Sequence, residues 1–354
     1  MRICIDMLTP KQVLFFDKVK EKLEKKNHNV ILTTRKYREA EQLLTMRGLK
    51  AEVIGRHGGG DVYSKLIESA KRTIELAEYI RKIRPDVCLS FSSPEMARVS
   101  FGLKIPHVTV NDSPHSIFVA KLTIPLSVIL CTPQILMEDW LKLGLGLTKD
   151  RVITYNALDC IAWLKDFKPT RSVIEELGLT LDKPIVTIRS VERAASYVSG
   201  EKLDVIRLVK IIKKRYPKFQ FVVLPRYEET EHLRAVLPEE VIVPERVVDA
   251  TSLLSFTYLF IGGGGTMTTE ACLMGVPSIN FFPNQTRILN FLKERGLLWR
   301  AVNLEEVLKL FEKIAKNYDE IKRRLKTVSS NIVEGMEDPT DVIVETLMKI
   351  NNFY

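Results

Sequence analysis

The sequence predicts an α/β protein made of two doubly wound parallel sheets in tandem. Three observations lead there. Short runs of β-branched and apolar residues alternate with amphipathic helical stretches; the alternation breaks once, in a polar segment, and then starts again; and 354 residues, at roughly 100 to 200 per domain, suggest two domains. Strands joined by helices long enough for crossovers imply parallel pairing.

In the first series the candidate strands are residues 3–8, 30–34, 51–54, 87–91, 107–110 and 128–132, with helical patterns such as 11–26 and 62–83 between them. Pro85 and Asp86 punctuate a Lys/Arg-rich helix end, as expected at a helix C-terminus. From about residue 152 to 183 the pattern loosens, with Pro169, Gly178 and Pro184 marking the junction. The expected domains are therefore 1–165 and 166–354. The second series reads as strands 185–189, 219–224, 241–243, 258–261 and 277–282, with helices 201–215, 228–237 and 266–274. Helices 305–326 and 340–350 close the chain, the last a candidate to cross back onto the first domain. Two such domains place a central cleft at the carboxyl ends of their strands, where open α/β sheets bind ligands.

With 45% hydrophobic and 27% charged residues the chain is globular, which excludes disordered, collagenous and disulfide-framework classes. Fifty-three Lys and Arg against 44 Asp and Glu give +9, a balance that favours anionic partners without choosing among them. Nucleic acid is disfavoured because no basic and aromatic interleaving accompanies the charge. Cysteines 4, 88, 131, 160 and 272 form no C-x-x-C pair, so they read as buried and reduced, and a cytoplasmic protein is expected. The apolar stretch 117–131, broken by Lys121 and Pro125, reads as core, being too short to span a bilayer. Basic residues around Lys11, Lys18 and Lys20 with apolar neighbours suggest contact with an anionic membrane surface, where a lipid-linked acceptor would reside. No D-x-D or H-x-x-x-H spacing points to a metal, and no metal or cofactor is expected.

The most informative segment runs from Tyr258 to Ile279. A buried strand ends in four glycines, Gly262 to Gly265, and a helix starts at about Thr266. Without Cβ atoms, Gly263, Gly264 and Gly265 let a phosphate approach the backbone N–H groups, and the helix N-terminus, with Thr266, Thr268 and Thr269, adds partial positive charge and hydroxyls. Glu270, about one turn inside the helix, is placed to accept hydrogen bonds from ribose hydroxyls. A tight turn with a helix cap is the alternative. The spacing matches neither a Walker loop nor G-x-G-x-x-G.

The run GGGGTMTTEACLMGVPSI resembles the donor-binding motif of GT-B glycosyltransferases, such as the UDP-N-acetylglucosamine transferase of peptidoglycan synthesis, and of the related non-hydrolysing UDP-N-acetylglucosamine 2-epimerases. Glu270 matches their ribose-binding glutamate. The segments IDMLTPKQVLFF, SSPEMARVSFGLKIP and VNDSP are similar to a largely archaeal, uncharacterised branch of that superfamily. The resemblance covers nearly the whole chain in element order and implies a GT-B-like fold, two Rossmann-like domains, with the nucleotide-sugar held by the second. IVTIRSVER lines up with an epimerase stretch, placing Arg189 and Glu192 at its ends, and Arg226 follows the strand FVVLP. Either arginine suits a diphosphate, or is a solvated strand-end charge. Asn284 and Gln285 lie where relatives contact the donor sugar, though Asn284 equally suits a helix cap.

In the first domain, Glu95 and Asp112 follow strands 87–91 and 107–110, positions suited to acid/base chemistry on a sugar or to capping the next helix. His115, the histidine nearest this pair, is a candidate to share a proton with Asp112, with plain polar surface as the alternative. His57-Gly58-Gly59-Gly60 is a second glycine-rich loop, either a flap over the acceptor or a connector. Departures from the relatives bear on the reaction. The region after Asp112 carries no acid, Arg189 replaces a histidine, and Gln12, which cannot take a proton, stands where many GT-B enzymes have a possible histidine base. These departures argue against 2-epimerisation. The expectation is a metal-independent glycosyltransferase using a nucleotide-sugar, UDP-linked, as substrate. A UDP-sugar epimerase or hydrolase, and a non-catalytic nucleotide-sugar sensor or scaffold, are the alternatives; homo-oligomerisation stays open.

Overall fold

The computed structural model describes residues 1–190, 204–225, 229–281 and 284–350. They form two compact units, residues 1–165 with the segment from Met336, and residues 166–335.

The first unit is built on β1 (Arg2–Met7), β2 (Asn29–Lys36), β3 (Glu52–Arg56), β4 (Val87–Ser90), β5 (His107–Val110), β6 (Ile129–Pro133) and β7 (Val152–Tyr155), in the order β3-β2-β1-β4-β5-β6-β7 with every neighbouring pair parallel. β1 and β4 are neighbours where the winding reverses, so the loops after them diverge and leave room for a ligand. β1 buries Ile3, Cys4, Ile5 and Met7 completely, the continuous apolar run of a strand covered on both faces. The helix Pro10–Lys25 begins with Pro in its first turn, buries Val13, Phe15, Phe16, Val19 and Leu23 on one stripe, and ends among Lys22 and Lys25. Asp61 caps Val62–Ile83 by accepting from Ser64 N, and Arg84, in the left-handed region at φ 47°, stops it.

Two readings need correction here. β7 pairs with β6 from Leu130↔Val152 to Pro133↔Tyr155, so the sheet continues into a stretch read as junction. A four-residue edge strand preceded by the polar turn Lys149–Arg151 carries too little apolar pattern to stand out. The run 117–131 is core only in part. Its helix Ile117–Thr123 buries Ala120 and Thr123 but turns Phe118 (72% exposed) and Leu122 to solvent. All five cysteines, in contrast, are buried and free.

The helix Pro339–Met348 lies on the first unit. Lys22 Nζ reaches Asp338 Oδ2 at 2.7 Å and Asp341 Oδ1 at 2.6 Å, and His28 Nε2 is 3.0 Å from Met348 Sδ.

The second unit is built on β8 (Ile185–Arg189), β9 (Gln220–Leu224), β10 (Val241–Ile242), β11 (Leu259–Gly262), β12 (Ser278–Asn280) and β13 (Trp299–Arg300). The order is β10-β9-β8-β11-β12-β13, again all parallel, with β8 and β11 at the reversal. β13 has only two residues and leaves no legible pattern. The stretch read as one helix over 305–326 is two, Leu304–Lys316 and Tyr318–Glu334, broken at Asn317 with φ −121° and ψ 28°. The expected helix over 201–215 is described from Asp204, which caps it by accepting from Arg207 N; its earlier residues lie outside the described ones. Among the described residues no helix is long and apolar enough to cross a membrane.

Candidate functional site

In the first unit the polar residues of interest gather at the carboxyl ends of the strands. Lys11, in the first turn after β1, points inward. Its Nζ lies 2.5 Å from Asp112 Oδ2, which follows β5, and 2.7 Å from Asp159 Oδ2, which follows β7. The ammonium also sits 4.3 Å above the centre of the Phe91 ring, a cation–π contact. Tyr155 Oη donates to Asp159 Oδ1 at 2.6 Å and Ser113 Oγ donates to Asp112 Oδ1 at 2.9 Å. Burial opposes the charge on Lys11, but the two carboxylates outweigh it and raise its pKa. Burial and the Asp112 charge push Asp159 up to about 6 against the pull of Lys11, whereas Lys11 and Ser113 hold Asp112 below the ordinary carboxylate range despite its burial. The two acids share one cation and are driven apart in affinity for a proton, with Asp112 (21% exposed) toward solvent and Asp159 (4%) behind it.

This geometry changes two readings. Lys11 is tied into the site and unavailable to a membrane surface, while Lys18 and Lys20 make helical surface pairs with Glu21 and Glu24. Asp112 does not cap a helix; Asn111 Oδ1 accepts the Ser113 N–H at 2.7 Å to shape the turn, and Ser116 is the N-cap residue of the next helix. Asp159 was not singled out from sequence, although a carboxylate inside the apolar run Ala157-Leu158-Asp159-Cys160-Ile161-Ala162 is the kind of buried polar residue that signals a site.

Glu95 is buried in a second network. Arg72 donates to Asp6 through Nη2 at 2.6 Å and Nη1 at 3.1 Å, to Glu95 Oε2 through Nη1 at 3.5 Å, and to the Ile54 carbonyl through Nε at 2.9 Å. Ser93 Oγ also donates to Glu95 Oε2, at 3.3 Å, and Ser93, not Glu95, caps the helix Pro94–Gly102 by accepting from Met96 N. Burial pushes the Asp6 carboxyl up, but the Arg72 charge and its hydrogen bonds overcome this and leave it below the usual range. Gln12 is structural: its Oε1 accepts from Leu8 N at 2.6 Å and its Nε2 donates to the Phe91 carbonyl at 3.3 Å, tying the loop after β1 to the end of β4. Behind these residues His107 is fully enclosed. Ser127 Oγ donates to the Thr123 carbonyl and therefore accepts from His107 Nδ1–H at 2.8 Å, which leaves Nε2 to accept from Ser90 Oγ at 2.9 Å. Burial lowers its pKa to about 3, so the ring is neutral.

His115 is exposed, with its pKa lowered by loss of solvation and by Lys11 and raised by Asp112, which places it beside the pair. The His57 loop packs on the helix that follows it. A Cβ on Gly58 would stand 2.5 Å from Lys65 Cα, His57 Nδ1 accepts from Gly59 N at 3.0 Å, and the His57 ring lies 5.3 Å from that of Tyr37.

In the second unit, β11 ends at Gly262, where a Cβ would lie 2.5 Å from Phe260 Cε1 and 2.6 Å from Thr268 Oγ1. Only glycine fits. Asn280 Nδ2, at the end of β12, donates to the Gly262 and Gly264 carbonyls at 3.1 and 3.0 Å, drawing both carbonyls of the turn to one side. Gly263 N donates to the Arg189 carbonyl at 3.0 Å. The helix Thr266–Leu273 follows with Gly265 as N-cap residue, and at Gly265 a Cβ would meet nothing within 4 Å. The first-turn amides of such a helix have no intrahelical acceptor. Two of the threonines expected at a ligand instead serve the loop: Thr268 Oγ1 donates to the Gly264 carbonyl at 2.6 Å, and Thr269 Oγ1 to that of Gly265 at 3.0 Å. Glu270 is 3% exposed, its Oε1 accepting from Thr251 Oγ1 at 2.9 Å.

Arg189, at the end of β8 beside Gly262, donates through Nη1 to the Pro225 carbonyl at 2.5 Å. Asn284 is half-buried and Gln285 exposed; the helix Arg287–Glu294 is capped by Thr286, which accepts from Leu289 N, not by Asn284. Glu192 and Arg226 lie outside the described residues. Among the described residues no group of three or more His, Cys, Asp and Glu side chains is arranged to hold a metal ion.

The fold is similar to that of the UDP-GlcNAc 2-epimerase from Neisseria meningitidis bound to UDP-GlcNAc, with a TM-score of 0.74 and 17% identity over 99% of this chain and 100% of that one. It is also similar to the spinosyn forosaminyltransferase SpnP, with a TM-score of 0.65 and 16% identity over 99% of each chain. At such identities the likeness speaks to architecture, and it makes the fold GT-B-like: two Rossmann-like parallel-sheet α/β domains. In sequence, the chain is 29% identical over 350 residues, 97% of its length and 96% of the relative's, to the uncharacterized protein MJ0665 of Methanocaldococcus jannaschii. Residues 1–352 match the family described as protein of unknown function (DUF354), and the chain belongs to that family.

Proposed function

We propose that this chain is a GT-B-type glycosyltransferase that takes a UDP-linked sugar as donor on its second unit and transfers the sugar without a metal ion. The observation that carries the reading is the turn after β11. A glycine that tolerates no Cβ, two carbonyls drawn aside by Asn280 and an uncovered helix start leave backbone amides and a positive helix end for a diphosphate. Glu270, one turn further, is the ribose acceptor, and Arg189 at the neighbouring strand end supplies the charge that a leaving diphosphate needs. The UDP-GlcNAc 2-epimerase and the forosaminyltransferase that are similar in fold share this architecture, which supports the reading.

On the first unit Asp112 is the general base. It is the more exposed member of the pair held by Lys11, and Asp159 behind it offers a second carboxylate to share the proton that the acceptor hydroxyl gives up. The Asp112 and Asp159 pair also supplies the acid that the sequence lacks after Asp112, so epimerisation of the donor alone is the second reading. Incubating the protein with UDP-sugars and following the products by NMR separates the two. Transfer requires an acceptor and releases UDP; a changed sugar still linked to UDP is epimerisation; an unchanged donor after both trials contradicts enzyme activity on it.

A further inference from the structure

We infer that Arg35 forms an oxyanion-binding subsite at the carboxyl end of the first sheet, taking a phosphate or carboxylate group of the ligand that this unit binds. That the ligand is an acceptor rests on the reading above; that it is anionic rests on the following geometry.

Arg35 is the penultimate residue of β2 and stands where the sheet departs from regular pairing. Thr34 pairs with Val53 and Lys36 with Arg56, so Ile54 and Gly55 of β3 together face the single Arg35. Bulges of this kind re-aim a side chain, and they concentrate beside functional sites. This one is fixed from both sides. Gly55 has φ +67° and a Cβ there would lie 2.8 Å from Arg72 Cβ and Cγ, while the Ile54 carbonyl accepts from Arg72 Nε.

The guanidinium of Arg35 makes no hydrogen bond or ion pair among the described residues, and its Nε is sealed from solvent without an acceptor. Its neighbours are already committed. Asp6 takes two hydrogen bonds from Arg72, and Glu95 Oε2 takes Arg72 and Ser93, so Arg35 feels these charges at a distance without contacting them. Burial accordingly lowers its pKa. Arg35 is half-buried, so its sealed Nε lacks a partner while the fork of donors is open to a ligand, and that fork matches an oxyanion better than any other ligand group. The Glu95 and Asp6 charges favour the cation from a distance, and a ligand oxyanion would supply the direct hydrogen bonds that they do not.

The test is hydrogen exchange read by mass spectrometry on wild type and Arg35→Met, with inorganic phosphate or acetate as probe and chloride at equal ionic strength as reference. The expected result is slower exchange in peptides covering residues 30–37 and 91–97 of wild type, lost in Arg35→Met, whose thermal midpoint without the probe is equal to or above that of wild type. Protection by phosphate alone assigns a phosphoryl group, and protection by acetate, alone or with phosphate, a carboxylate. Absence of protection by both probes, protection confined to residues 262–270, protection retained in the variant, or a lowered midpoint of the variant would each overturn the inference. UDP binding is read separately at residues 262–270, so failure of the donor reading leaves a distinct signature.

Discussion

Lys11 Nζ stands 2.7 Å from Asp159 Oδ2, inside a site that also holds Asp112 and the ring of Phe91. Two acids and one cation, half-buried at Lys11 and Asp112 and enclosed at Asp159, make the first unit's strand ends both a source of proton chemistry and a point of weakness.

Replacing Lys11 by Met leaves two facing carboxylates without a counter-charge, which in buried pairs costs about 3–5 kcal/mol. In the variant both acids bind protons more tightly than in the unfolded chain, so the loss is smaller at pH 5 than at pH 8. Urea unfolding at the two values measures it.

The pH dependence of wild-type stability combines opposite contributions. His107 is held neutral to about pH 3, so between there and its unfolded value near 6.5 the unfolded chain binds more protons, and stability falls as pH drops by about 1.4 kcal/mol per unit. Asp159, raised to about 6 in the fold, acts in the other direction, losing stability as pH rises from about 4 through 6. Asp159→Asn removes the opposing term, and its stability between pH 4 and 6 is expected to rise more steeply with pH than that of wild type. Thermal midpoints across this range check it.

At the second unit, Gly262→Ala and Gly265→Ala are expected to part company. The first places a methyl 2.5 Å from Phe260 and lowers stability by about 1–3 kcal/mol; the second enters open space and stays within about 0.5 kcal/mol. If Gly265 faces the diphosphate, its variant weakens UDP binding about tenfold, or 1.4 kcal/mol, with stability unchanged. Unfolding and calorimetry on the same preparations distinguish the effects.

Asp112→Asn keeps the shape of the site but removes the proton acceptor. Turnover is expected to fall about 100-fold or more while UDP binding on the other unit stays unchanged. A matching fall in both would place the residue in structure rather than in chemistry.

The fold was legible because buried parallel strands are near-continuous apolar runs and their helices carry one apolar stripe. Strands 107–110 and 185–189 and the helix 62–83 were read to the residue. The short edge strands β7 and β13 were missed, since edge position removes the apolar run that marks a central strand. The glycine turn at the end of β11 and the place of Glu270 one turn into the next helix were legible from local spacing alone. The Lys11, Asp112 and Asp159 cluster was not, because its members follow three different strands and only the sheet order brings them together. A lysine on a basic helix reads as surface; Pro10 and the strand before it were the sign that Lys11 lies at a strand end. Arg72 carried a similar sign, sharing the buried stripe of its helix with Leu76 and Ile80.

In the proposed reaction the turn after β11 and Glu270 hold a nucleoside diphosphate. Calorimetric titration of UDP into wild type and Glu270→Ala tests it most directly. Saturable binding by wild type is expected, weakened in the variant by about 1–3 kcal/mol, the loss of hydrogen bonds to a charged group. No binding by wild type, or equal binding by both proteins, would contradict it.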